Sequence, residues 1–222
     1  ANYLAEHYGY HVYIITWEQG GHSIVYPLSP KVTHVDWGIL FYRQYQYGLF
    51  KRMFMQWKME KEFFKKLSNF VHTTQADIVI GASCEFTTMA GMDLLQRKTH
   101  TILETHSMRT SIEKNNPPAG NLLMRWAFKR RDKQLHQYIK HMSAFVTLTH
   151  NDAKDWSDIT PQARIIPNML HRYPAEISPD KKTQKRIITA GRLVEQKGYD
   201  LLLDAWSKVH QKHPEWILDI YG

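Results

Sequence analysis

The chain has 222 residues, 43% of them hydrophobic, and 29 Lys or Arg stand against 21 Asp or Glu, a formal charge of +8. That is apolar material for one large domain or one and a half ordinary ones, and no apolar run is long enough to span a bilayer. A lone cysteine, Cys84, excludes an internal disulfide and suits a reducing compartment, while thirteen histidines fall in no metal-ligand grid, so no metal site is expected.

In chain order, Ala1 to His7 reads as the end of a helix, Gly9 as its stop and His11–Thr16 as a buried strand. Residues 17–50 are rich in Gly, Pro and aromatics without clean periodicity, and a short strand near Ser23–Tyr26 is expected within a long loop. Lys51–Phe70 predicts a helix in which Met53, Trp57, Phe64 and Leu67 form the apolar stripe, with Lys58, Lys61 and Lys65 on another face. Strands are then expected at Asp77–Ile80, Thr101–Glu104, Phe145–Leu148, Arg164–Ile166, Arg186–Ala190 and Ile217–Tyr221. Helices are expected at Thr87–Gln96, Asn121–His141, Asn151–Trp156 and Gly198–His210, with Asn151 or Asp152 capping the third of these. Strands alternating with helices predict a parallel α/β sheet. Pro174, Pro179 and a basic, apolar-poor composition mark residues 168–184 as a linker between 1–167 and 185–222.

The most informative stretch is Gly191-Arg192-Leu193-Val194-Glu195-Gln196-Lys197-Gly198. It joins the apolar run Arg186–Ala190 to a helix on which Leu202, Ala205, Trp206 and Val209 recur at i, i+3, i+4 and i+7, a stripe expected to pack on a core. The turn therefore falls at the carboxyl end of a strand, where open α/β sheets bind ligands. Arg192 offers a planar fork and Lys197 a point charge to a diphosphate. Gly191 and Gly198 let the backbone come close, and the helix start adds unpaired N–H groups. In isolation such a loop is also compatible with an ordinary surface turn.

Together with Tyr199-Asp200, the following Leu-Leu-Leu-Asp-Ala-Trp run, His213-Pro214 and Trp216–Gly222, this stretch resembles the opening of the donor-binding domain of family 4 glycosyltransferases. The resemblance is strong over residues 186–222 and looser elsewhere. It implies the GT-B fold, an α/β architecture of two Rossmann-like domains. Residues 1–167 would be a nearly complete acceptor-side domain lacking its first strand, and 185–222 the beginning of the sugar-nucleotide domain. Both ends then read as cuts, the natural protein is expected to be longer, and this segment alone is expected to be inactive. The resemblance further implies a retaining transfer from a nucleotide diphosphate sugar to a glycan or lipid-linked acceptor, without metal or cofactor, in bacterial cell-envelope or exopolysaccharide synthesis. Arg192 and Lys197 would act on the leaving diphosphate, which Gly191 and Gly198 help to bind.

The same resemblance makes His106, at the carboxyl edge of the strand Thr101–Glu104, a residue facing the transferred sugar; Glu104 and Arg109 lie close by in sequence. Ser107 after it departs from the commonest family pattern, and taken alone the histidine equally suits a hydrogen-bonded structural role. Arg164-Ile-Ile-Pro-Asn168 resembles the strand and Pro-Asn element before the interdomain crossing, with Asn168 ordering the turn; Met169 stands where the family often has Gly. His210 and His213 suit the electrostatics of a helix end.

Basic residues gather in two tracts. One comprises Arg109, Arg125, Lys129, Arg130, Arg131 and Lys133; the other runs from Lys51 to Lys66, with six Lys or Arg against Glu60 and Glu62. The second reads either as a solvated helix covering a sheet or as a peripheral contact with an anionic membrane, on the inner face of a cytoplasmic membrane. No nucleic-acid recognition motif accompanies the charge, so nucleic acid is not an expected partner. Two other functional classes stay open: a non-catalytic α/β module that binds an acidic partner or membrane through its basic helices, and a sugar-nucleotide epimerase or glycogen-type synthase of the same architecture.

Overall fold

The computed structural model describes residues 1–96, 98–112, 122–169 and 185–222, and the chain divides into two compact units, Ala1–Asn168 and Met169–Gly222. The expected linker 168–184 lies outside the described residues except for Asn168 and Met169. Every strand pairing is parallel, and strands alternate with helices in both units. The α/β, Rossmann-like reading therefore holds in each.

In the first unit, helix α1 (Asn2–His7) passes through Gly9, at φ +68°, into β1 (Val12–Thr16), which pairs with β2 (Val32–Asp36). No strand forms at Ser23–Tyr26. That segment is instead a loop tied down by Asn2, whose amide donates to the Pro27 carbonyl at 3.1 Å and accepts from the Ser29 N–H at 3.0 Å. The strand comes later, where Val32, Thr33 and Val35 supply the β-branched side chains a strand favours, between Pro30 and Gly38.

A 3₁₀ segment (Phe41–Gln46) leads into α2 (Leu49–Thr74), a 26-residue helix. Its inward stripe is Met59, Phe63 and Val71, with Met55, Phe64 and Leu67 beside it. Met53 and Trp57, expected on that stripe, are exposed. Phe63 fills the centre, with the rings of Trp17 and Trp37 set edge-on at 5.1 and 5.7 Å. Such aromatic pairs add about 1 kcal/mol each beyond their buried area.

The main sheet has the order β3 (Ile78–Gly81), β4 (His100–Glu104), β5 (Ala144–Thr147), β6 (Arg164–Ile165). Phe145, Val146 and Thr147 are buried in succession, the mark of a strand covered on both faces. Among the described residues β1 and β3 each hydrogen-bond on one side only, so the unit holds two sheets. Helices α3 (Phe86–Asp93), the short α4 (Arg109–Ile112), α5 (Leu122–His141) and α6 (His150–Asp155) fill the connections. The core gathers Met89, Met92, Leu103, Leu135, Ile139, Phe145 and Trp156 from α3, β4, α5, β5 and the end of α6. Thr149, not Asn151 or Asp152, caps α6: its hydroxyl accepts from the Asp152 N–H at 3.1 Å and donates to the Asp152 carboxylate at 2.7 Å. Asp152 sits one turn in, so it can only reciprocate.

Among the described residues the second unit is one β-α-β: β7 (Arg186–Ala190), α7 (Tyr199–Lys212) and β8 (Ile217–Tyr221). Arg186 forks onto Asp219 across the strands, at 2.8 and 3.0 Å. On α7 only Leu202 and Trp206 of the expected stripe are half-buried, whereas Ala205 and Val209 are exposed. Two strands present too narrow a face to cover a full helical stripe.

Candidate functional site

The turn after β7 is built by hydrogen bonds rather than by apolar burial. The Gly191 N–H donates to the Tyr221 carbonyl at 2.9 Å, which extends the β7–β8 pairing by one residue. The chain then folds through Arg192–Val194 into a single 3₁₀ turn at Glu195–Lys197. Gly198 follows at φ +63°, the left-handed region that glycine enters without cost. It precedes the first turn of α7, which no side chain caps, so the leading N–H groups of the helix keep their capacity to bind an anion.

Tyr199 locks this geometry, its hydroxyl donating to the Gly191 carbonyl at 2.9 Å. A Cβ on Gly191 would sit 3.1 Å from that oxygen and 3.9 Å from the Cδ and Cε of Lys197. The lysine stem therefore runs back over the strand end, which brings Lys197 and Gly191 together. Arg192 and Lys197 are both exposed, and among the described residues neither has an ion-pair partner. Two cations beside uncapped helix N–H groups, with no carboxylate satisfying them, can receive a doubly charged phosphate group. Sequence reasoning chose Gly191, Arg192, Lys197 and Gly198 but missed Tyr199 as the clamp; the signal was a hydroxyl directly after the positive-φ glycine.

His106 belongs to the first unit, just past the end of β4. Its Nε2 stands 3.6 Å from a carboxylate oxygen of Glu104, and the ring is exposed. Beneath it the loop is fixed by Thr105, whose N–H donates to the Val146 carbonyl at 2.9 Å and whose hydroxyl donates to the Ser107 carbonyl at 2.9 Å. Cys84 lies beside Thr105, and burial pushes its thiol up to about 11. Arg109 has a structural role: it forks onto Asp158 and lies over the ring of the fully buried Trp156, 5.1 Å from its centre.

The first unit also contains a cleft of about 740 Å³ at the carboxyl ends of β1 and β3. Trp17 and Glu18 come from the end of β1, Gln56 from α2, Glu85 and Thr88 from the start of α3 and Arg131 from α5. Burial raises the Glu85 carboxyl above its ordinary range, and the neighbouring charge of Glu18 adds to the shift. His106 is not among the lining residues. Sequence reasoning missed this cleft, because its walls come from segments more than a hundred residues apart, from Trp17 to Arg131. Among the described residues no group of three or more His, Cys, Asp or Glu could hold a metal ion, and no helix is long and apolar enough to cross a membrane.

Residues 175–222 match the family model described as glycosyl transferases group 1. This match covers the turn at residues 191–198 and the whole β-α-β around it. An uncharacterized glycosyltransferase of Haemophilus influenzae is 28% identical over 178 residues, which cover 76% of this chain and 45% of that relative. The chain thus spans about half the length of the curated relative it matches.

Proposed function

We propose that this chain is part of a glycosyltransferase that moves a sugar from a nucleotide diphosphate sugar to a glycan or lipid-linked acceptor. The observation that carries the reading is the turn of Gly191, Arg192, Lys197 and Gly198, with two cations that have no ion-pair partner among the described residues, at the uncapped start of α7, inside the segment that matches the group 1 family model. As the glycosidic bond to the donor loosens, negative charge gathers on the departing diphosphate. Arg192 and Lys197 stabilise that charge more in the transition state than in the ground state, which is what accelerates the step. Fixed cations can take this load in place of a divalent metal, so the reading assigns neither metal nor cofactor. Its resemblance to family 4 enzymes supports retention at the anomeric carbon and a GT-B arrangement, with His106 facing the transferred sugar. A role in bacterial cell-envelope or exopolysaccharide synthesis rests on the same resemblance.

Peripheral membrane contact belongs to the same reading. The first turns of α2 expose Leu49, Phe50, Met53, Phe54 and Trp57, interleaved with Lys51, Arg52, Lys58 and Lys61. Phe50 is 86% exposed. An apolar and basic helix start of this kind suits the surface of an anionic leaflet.

The deciding test is Arg192→Ala in the intact protein, followed by release of nucleoside diphosphate from a panel of sugar nucleotides with lipid extract as acceptor source. Turnover should fall by about two to three orders of magnitude, the loss typical of removing one transition-state donor. Unchanged turnover would remove the assigned role.

A further inference from the structure

The cations on and around α5 divide into two groups. Arg109 is held by Asp158 at 3.1 Å and Arg131 by Asp132 at 3.4 Å, and Arg131 turns toward the cleft. Arg125, Lys129, Arg130 and Lys133 are exposed, as is Lys140 further along the helix, and among the described residues none of these has an ion-pair partner. Steps of four, four and seven residues put Arg125, Lys129, Lys133 and Lys140 on one side of the helix, with Trp126 and Arg130 beside them. The core stripe of Leu135 and Ile139 runs along the other side. Asp132, the one acid between Leu122 and His141, is buried there with them. Carboxylates that approach the helix from other elements are engaged, Asp158 with Arg109 and Asp93 with His141 at 2.8 Å.

Like charges four residues apart destabilise a helix. Here Arg125 precedes Lys129, and Lys129 precedes Lys133, with no carboxylate on that face. On α2 the arrangement differs, since Glu62 sits among the lysines and pairs with Lys66 at 2.9 Å. A row of uncompensated charge is complementary to an anionic partner. It runs straight for about 22 Å, with its first cations about 6 Å apart, and so suits a linear polymer. A helix that lies on a leaflet sets an apolar face into the lipid, yet past Trp126 no large apolar side chain of α5 is exposed. Trp126 itself is 60% exposed, with the Arg130 guanidinium 5.5 Å from its ring centre. That indole can stack on the C–H face of a pyranose while the cations meet carboxylates along the chain.

We propose that this face of α5 binds an acidic polysaccharide, with uronate carboxylates on Arg125, Lys129, Lys133 and Lys140 and one sugar ring on Trp126. The choice of a glycan over another polyanion rests on the transferase reading; the charge row and its geometry do not. The face turns away from the cleft, so it holds the polymer chain and not a reacting hydroxyl.

The experiment is calorimetric titration of the full chain, at low salt and without nucleotide, with a long oligogalacturonate. A neutral malto-oligosaccharide of equal length, oligothymidylate and mixed phosphatidylglycerol–phosphatidylcholine vesicles are the comparison ligands. Oligogalacturonate should bind and the malto-oligosaccharide should not. Lys129→Gln combined with Lys133→Gln should weaken oligogalacturonate about tenfold, the loss expected from two exposed charge contacts. Lys61→Gln combined with Lys65→Gln on α2 should leave it close to the parent's value. Trp126→Ala should weaken it about threefold or more, since the ring contact and the partner of Arg130 go together. The proposal is overturned if oligogalacturonate fails to bind, if the α2 pair weakens it as much as the α5 pair, or if Trp126→Ala binds like the parent. It is equally overturned if oligothymidylate or the vesicles depend on Lys129 and Lys133 more than oligogalacturonate does. Because no nucleotide enters the titration, these results remove the α5 assignment alone, whereas unchanged turnover in Arg192→Ala removes the transferase reading and leaves the binding data standing.

Discussion

The Tyr199 hydroxyl donates to the Gly191 carbonyl across eight residues, at 2.9 Å, and so closes the turn that carries Arg192 and Lys197. The bond is half-buried and neutral, which sets its net worth at about 1 kcal/mol. Tyr199→Phe keeps the ring and deletes only this bond. The variant should bind nucleoside diphosphates about fivefold more weakly by calorimetry, because the turn samples conformations that splay the two cations. Its far-UV circular dichroism should match the parent. An unaltered affinity would show that the turn holds its shape without the phenol.

Gly91 lets α2 approach α3. A Cβ there would stand 2.8 Å from Cε1 of Phe63 and 3.0 Å from Cδ2 of Leu67. Phe63 is 2% exposed and ringed by Trp17, Trp37 and Phe41, so it cannot step aside. Gly91→Ala should gain a little helix propensity and lose more to overpacking, a net cost of about 1–3 kcal/mol. Urea denaturation checks this, and a midpoint equal to or above the parent's would mean that the helices separate freely.

What the sequence made legible follows from how local each feature is. The strands Ile78–Gly81, His100–Glu104 and Ala144–Thr147 each centre on consecutive apolar residues, Ile78–Ile80, Ile102–Leu103 and Ala144–Val146, so they were evident within a residue or two. The glycine and cation pattern of the turn was equally plain as a motif, since Gly191, Arg192, Lys197 and Gly198 lie within eight consecutive positions. On α2 the difficulty was one of excess. Met53, Phe54, Met55, Trp57, Met59, Phe63 and Phe64 surround most of the helix, and periodicity alone could not decide which stripe turns inward. Only the partners on which the helix packs, Trp17, Trp37, Ile39 and Phe41 together with α3, make that choice. The cleft was illegible for a related reason: Glu18, Gln56, Glu85 and Arg131 are brought together by topology, and no spacing in the chain announces it.

Glu85 supplies a pH-dependent test. Its carboxyl lies above the ordinary range, chiefly through burial and then through the charge of Glu18. A carboxyl whose pKa rises on folding binds protons more readily in the folded state. Its contribution is thus fully present below the unfolded value, about 4.3, and is lost as pH rises through the higher folded value. At neutral pH the ionised group opposes folding. Glu85→Gln should therefore raise the Tm at pH 7 and change it little at pH 4 or below. Thermal melts across that range read the difference directly, and a gain that is the same at both ends would rule out ionisation as its cause.

Cys84 offers an independent view of how tightly the end of β3 is packed. Burial lifts its thiol from 9.0 to about 11, against a smaller opposing contribution from the Thr105 hydroxyl. The thiolate is the species that reacts with alkylating agents. At pH 8 its population is then roughly a hundredfold below that of the same thiol at its ordinary value. Iodoacetamide should modify the native protein at least that much more slowly than the urea-unfolded chain. The native rate should keep climbing about tenfold per pH unit well past pH 9, where an ordinary thiol levels off. Thr105→Val removes the one hydroxyl that stabilises the thiolate, so it should slow native alkylation further while leaving the unfolded rate unchanged. A native rate that already plateaus near pH 9 would mean that solvent reaches Cys84 and that the floor beside His106 is open.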